Sequence, residues 1–187
     1  MAQLGDALCA FERAFRTLDA RWFVFGAQAA IFYGVARATA DVDVTVEPGG
    51  RTTRELADAL VDAGFSLRFP DEDFVARTRV LPVKHASGMP ADVVLGDSPI
   101  EALFFDRVER HRIDGANVPV AAVEDIVVMK VLAGREKDRS DIVPMLRSRR
   151  AKVDLDQIRS TLGLLEQTLD QSDLLPEFER LLKVARR

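Results

Sequence analysis

The sequence predicts an α+β fold. A small mixed β-sheet flanked by helices is expected over residues 1–122, with a C-terminal helical bundle over 123–187 packed on it. Three observations lead there. Two short β-rich runs, 22–25 and 41–46, bracket a helix-length apolar stretch. Further strand-like runs recur between 65 and 121. From Val123 onward the apolar residues all follow helical spacing.

Leu4, Ala7, Leu8, Phe11, Phe15 and Leu18 place a helix over 3–19, with Cys9 as a small packing residue. Trp22–Phe25 reads as a buried strand stopped by Gly26, and 27–33 as a helix closed near Gly34. Asp41–Val46 alternates strictly, the pattern of a strand. Pro48-Gly49-Gly50 turns the chain into a helix over 53–63, whose inward residues are Leu56, Ala57, Leu60 and Val61. Strands follow at 65–69, 74–83 and 91–95, then a short helix from Ser98-Pro99 to Phe104. Residues 107–113 and 118–121 form a hairpin around 114–117. Helices are expected at 123–133, 138–149, 155–169 and 176–185. Asp154 and Gln157 make a capping box for the third of these, and Pro144 interrupts the second.

Composition narrows the function. The 187 residues are 48% hydrophobic and 30% charged, the balance of a folded domain. Net charge is −4, which excludes a general nucleic-acid coat. One cysteine and two histidines exclude a disulfide and a Cys/His metal centre, so any metal must be held by carboxylates. No apolar run suffices to span a membrane and the start does not resemble a leader, so a cytoplasmic protein without membrane contact is expected. Charge is uneven: residues 41–101 hold 12 acids against 6 bases, and 134–152 hold 7 bases against 3 acids.

The first chemical constellation is Gly26 with Asp41 and Asp43. Two carboxylates two apart on a strand share a face. They are either an exposed polar edge or the oxygen ligands of Mg²⁺ or Mn²⁺. A glycine that ends a strand and opens a helix adds free N–H groups for an anion. The second constellation runs from Val123 to Ile142. Lys130 falls in the apolar face of its helix, where it must snorkel, pair with an acid or hold a ligand. Asp138 and Asp141 share a face, and Asp138 could equally be an N-cap. Arg37 could clamp a phosphate or pair with Asp41 or a loop acid, and Thr39 caps or shapes the turn before the strand.

The run Phe25-Gly26-Ala27-Gln28-Ala29, followed by Gly34-Val35-Ala36-Arg37-Ala38-Thr39-Ala40-Asp41-Val42-Asp43, resembles the nucleotidyltransferase superfamily. More narrowly, it is similar to minimal nucleotidyltransferases related to abortive-infection toxins of bacterial toxin–antitoxin systems. The resemblance implies a nucleotidyltransferase-like sheet with the active site between sheet and bundle. It implies Asp41, Asp43 and Asp92 as metal-binding and catalytic acids, with Lys130 as a further catalytic group. Gly26, Ala27, Arg37, Thr39, Arg135, Lys137, Asp138 and Asp141 would bind nucleotide. Ala27 stands where the family often has serine or glycine, so its backbone N–H remains but a hydroxyl is missing. The implied reaction moves a nucleoside monophosphate from an NTP to an RNA 3′ end, such as that of a tRNA, or to a protein hydroxyl. A toxin paired with a cognate antitoxin protein is the implied setting. The alternative is a catalytically weak or inactive nucleotidyltransferase-like module that binds a partner protein.

Overall fold

The computed structural model describes residues 2–69, 72–148 and 152–187. It divides into two compact units, Met1–Gln28 with Ala38–Ala121, and Ala29–Arg37 with Ala122–Arg187. No helix among the described residues is long and apolar enough to cross a membrane.

The first unit holds a seven-stranded sheet, counted over the described residues. Its strands are β1 (Trp22–Phe25), β2 (Val42–Val46), β3 (Phe65–Leu67), β4 (Val80–His85), β5 (Pro90–Leu95), β6 (Glu109–Ile113) and β7 (Ala116–Val120). Their order is β3-β4-β5-β2-β1-β7-β6. Two neighbouring pairs, β2/β5 and β1/β7, are parallel and the others antiparallel.

Register sorts the side chains onto two faces. Trp22, Val24, Val42, Val44, Val46, Ala91, Val93, Leu81, Val83 and Phe65 share one face and are all buried. Helix α1 (Ala2–Thr17) covers it, with the Phe11 ring tilted against Phe65 at 4.4 Å and Trp22 at 6.0 Å between centroids. Helix α3 (Thr53–Asp62) packs beside α1. The opposite face carries Phe23, Phe25, Asp43, Thr45, Pro82, Lys84 and Asp92. Helix α5 (Pro99–Phe105) covers one end of it, Phe105 meeting Phe23 edge-on.

Local chemistry explains the element boundaries. Thr52 with Glu55 and Ser98 with Glu101 form complete capping boxes at α3 and α5. The β6–β7 turn is only Asp114-Gly115, both at positive φ (48° and 87°), tighter than the four-residue loop expected. Residues 74–83 do not form one strand. Helix α4 (Glu72–Thr78) occupies the first half, with Glu72 and Asp73 at its positive end, and β4 starts only after Arg79 turns at φ 56°. Val61 is 49% exposed and Cys9 is exposed, because both lie off the buried stripes of their helices.

The second unit contains most of α2 (Gly26–Phe32) and the segment to Arg37. It also contains α6 (Val123–Ala133), α7 (Glu136–Arg147), α8 (Leu155–Leu169) and α9 (Leu174–Ala185). α6 is buried over most of its length and packs against the other three bundle helices. Gly134 ends it in the left-handed conformation, φ 62°. α7 continues through Pro144 to Arg147, so the proline does not end the helix. At α8 the Asp154 carboxylate accepts from Asp156 and Gln157 N–H, but the reciprocal bond comes from α6. Asp154 N–H donates to Glu124 Oε1 at 2.7 Å, where a capping box would have used Gln157.

Candidate active site

Two carboxylates of the first unit stand on one row of the sheet. Asp43 on β2 is in register with Asp92 on the adjacent parallel β5, and with Phe25 on β1. In-register neighbours point to the same side, so Asp43 and Asp92 share a face. Both are half-buried. Asp41 is not on the strand as expected: β2 begins at Val42, and Asp41 sits in the bend before it. There Thr39 Oγ1 donates to Asp41 Oδ1 at 2.6 Å, so Thr39 shapes the turn by holding the carboxylate itself. Gln28 Nε2 lies 3.5 Å from the Asp41 carbonyl.

Gly26 stands where β1 becomes α2, at φ +65°. A Cβ built on it would come within 2.7 Å of Asp43 Cγ and 2.9 Å of Asp43 Cβ. The missing side chain is therefore the space that the Asp43 carboxylate uses. Ala27 follows, half-buried at the first turn of the helix.

Burial pushes the Asp92 carboxyl above its ordinary pKa. The positive charge of Arg68 opposes the shift and the charge of Asp41 adds to it. Arg68 Nη1 lies 3.4 Å from Asp92 Oδ1. Sequence patterning did not single out Arg68. The only signal would have been the β3–β4 pairing, which places residue 68 opposite Pro82 and Pro82 opposite Asp92.

These donors suit a hard cation. All are carboxylate oxygens, and Mg²⁺ is commonly held by one or two carboxylates with substrate phosphates completing its shell. Among the described residues no three His, Cys, Asp or Glu side chains close into a complete protein-only ligand set. The Asp43–Asp92 pair with Asp41 nearby thus fits a metal that arrives with a phosphate ligand.

The second unit holds a different cluster. Lys130 is buried, and its Nζ donates to Asp141 Oδ2 at 2.7 Å and Asp138 Oδ1 at 3.3 Å. It pairs with acids rather than snorkelling. Arg37 Nη1 reaches the same Asp141 Oδ2 at 3.0 Å, not Asp41. Arg135 Nε donates to Asp138 Oδ2. Asp138 is not the N-cap: Arg135 holds that position, and the Asp138 side chain is 5% exposed. Lys137 is exposed and outside this cluster. Of the basic stretch noted above, Arg149 and Arg150 lie outside the described residues.

Comparison with known proteins bears on the fold and the family. The fold resembles that of an antigenic nucleotidyltransferase-like protein from Paracoccidioides brasiliensis, at TM-score 0.57 and 17% identity over 97% of this chain and 93% of that one. It resembles the antibiotic-resistance factor ANT(2'')-Ia at TM-score 0.61 and 10% identity, over 90% and 94%. The lincosamide antibiotic adenylyltransferase LnuA aligns at TM-score 0.50 and 14% identity, over 74% and 94%. At these identities the likeness is one of fold. No curated protein sequence matches the chain. The family described as "Nucleotidyltransferase of unknown function (DUF6036)" matches residues 10–172, most of the chain, and the protein belongs to that family of nucleotidyltransferases.

Proposed function

We propose that the protein transfers a nucleoside monophosphate from an NTP to an acceptor hydroxyl, with Asp43 and Asp92 holding Mg²⁺ or Mn²⁺ beside Asp41 and the nucleotide's phosphates completing its shell. One observation carries this reading. Asp43 and Asp92 stand in register on one face, and Gly26 vacates the space that Asp43 fills.

When bound, the metal neutralises the triphosphate and polarises its α-phosphate. The chain's residues supply the rest. Thr39 keeps the Asp41 carboxylate turned toward its hydroxyl. Gly26 and Ala27 offer backbone N–H groups to phosphate oxygens. The acceptor oxygen bonds to the α-phosphorus as the bond to the β-phosphate oxygen breaks, and pyrophosphate leaves. Asp92 accepts the hydroxyl proton. In the second unit, Arg135 and Lys137 are exposed, and Arg135 is paired with Asp138. Lys130, Asp138, Asp141 and Arg37 hold α6, α7 and the 29–37 segment together.

The acceptor is an RNA 3′ end or a protein hydroxyl in the setting of a toxin–antitoxin pair, which the 25–43 motif supports. Two proteins of similar fold are named for antibiotics, so a small-molecule hydroxyl is the third acceptor to test. The experiment incubates the full chain with Mg²⁺ and each α-labelled NTP in turn. RNA, protein, aminoglycoside and lincosamide are offered as acceptors. Label should move to one of them and fail to do so with Asp43→Asn. Chelation with EDTA should stop transfer, and added Mg²⁺ or Mn²⁺ should restore it. No transfer from any NTP, with no Mg²⁺–NTP shift in melting temperature, overturns the reading.

A further inference from the structure

The carboxylate row continues past Asp92. β3 and β4 pair Phe65 with His85, Ser66 with Lys84 and Leu67 with Val83. The backbone N–H of Arg68 then donates to the Pro82 carbonyl at 2.9 Å, which carries the pairing one residue further. Pro82 is in register with Asp92, Asp92 with Asp43, and Asp43 with Phe25. Arg68, Pro82, Asp92 and Asp43 therefore form one line across the sheet, all directed to the same face. Pro82 is short and apolar, and the Arg68 side chain reaches over it to Asp92.

That reach is incomplete. The Nη1–Oδ1 distance is 3.4 Å, and the two side chains are 39% and 38% exposed. A paired arginine with good geometry sits closer, as Arg21 does at 2.7 Å from Glu47. Among the described residues, Nε and Nη2 of Arg68 donate to no protein group. Lys84, exposed and two residues from Pro82, lies on the same face. A cation is thus anchored by its backbone at the end of a carboxylate row, with unused planar donors beside the proposed proton acceptor. Planar donors in this arrangement match phosphate oxygens.

We propose that Arg68 is a substrate-binding residue of the transfer reaction, holding a phosphate oxyanion at the Asp92 end of the row. This rests on the nucleotidyl-transfer reading. The oxyanion belongs either to the nucleotide or to the acceptor, and the two sources separate by probe. Calorimetric titrations compare the full-length wild type, Arg68→Met and Arg68→Lys, using Mg²⁺-tripolyphosphate in one arm and a short single-stranded RNA in the other. Arg68→Met should weaken one probe about tenfold, and Arg68→Lys should restore part of it. A loss confined to tripolyphosphate assigns the contact to the nucleotide; a loss confined to RNA assigns it to the acceptor. Arg68→Met that binds both probes as wild type does, while the wild type transfers label, overturns the Arg68 proposal alone. A wild type that binds neither probe and transfers no label overturns the underlying reading with it. Melting curves of the unliganded variants confirm that the half-exposed position tolerates the changes.

Discussion

Gly26 and Asp43 share one space: residue 26 holds φ +65°, and a Cβ there would lie within 2.7 Å of Asp43 Cγ. Gly26→Ala must therefore both strain the backbone and displace the carboxylate. The expected loss is about 1–3 kcal/mol of stability, together with nucleotidyl transfer. Chemical denaturation and the labelling assay measure the two effects separately. An alanine variant with wild-type transfer would show that Asp43 does not need its observed position.

Lys130 is enclosed by two carboxylates in the second unit. Lys130→Met leaves Asp138 and Asp141 buried with one cation fewer, and should destabilise by about 3–5 kcal/mol. The double variant Lys130→Met/Asp141→Asn should lose less than the sum of the single changes, since the partners act as a unit. Urea unfolding of the four proteins in the cycle tests the coupling, and strict additivity would contradict the pairing seen.

Acid should loosen the same cluster. Burial alone would raise the Asp138 carboxyl, but the hydrogen bond from Arg135 and the charge of Lys130 outweigh it and hold it below the ordinary value. Lowering in the folded state means the stabilisation is present above the unfolded carboxyl value, about pH 4, and is lost as pH falls through the folded one. Glu177 shifts in the same direction through its bond from Arg180, with Arg139 adding to it. Melting temperature should fall below about pH 4, and Asp138→Asn should flatten that part of the curve.

The Asp114-Gly115 turn offers a control away from the site. Gly115 holds φ 87° with open space around its α-carbon, so Gly115→Ala meets no neighbour and acts through backbone strain. A loss of about 1 kcal/mol is expected, with transfer unchanged. Thermal denaturation and the same labelling assay check both halves.

Much of the first unit was legible because its signals are local. Strict alternation over Val42–Val46 and the apolar run at Trp22–Phe25 each state a strand within a few residues. Gly26, Asp43 and Asp92 could be singled out by type and spacing. What stayed hidden depends on distant pairing. Arg37 and Asp141 meet across 104 positions, and no periodicity announces that. Arg68 reaches Asp92 only once β3, β4 and β5 have taken their register. α4 was missed for another reason: Phe74 and Val75 suggest a strand, but Glu72 and Asp73 favour a helix start and only Val75 is buried.

The helical unit is written in two places along the chain, Ala29–Arg37 and Ala122–Arg187. It is therefore not a transferable cassette. A gene fragment cut after residue 122 would encode Asp141 and its partner Lys130 without Arg37, which would stay on the other piece. Recombination that exchanged the C-terminal helices between relatives would preserve this pair only if the short stretch ahead of Thr39 travelled with them. A change at Arg37 therefore bears on Asp141, although all of Ala38–Ala121 lies between the two regions in the sequence.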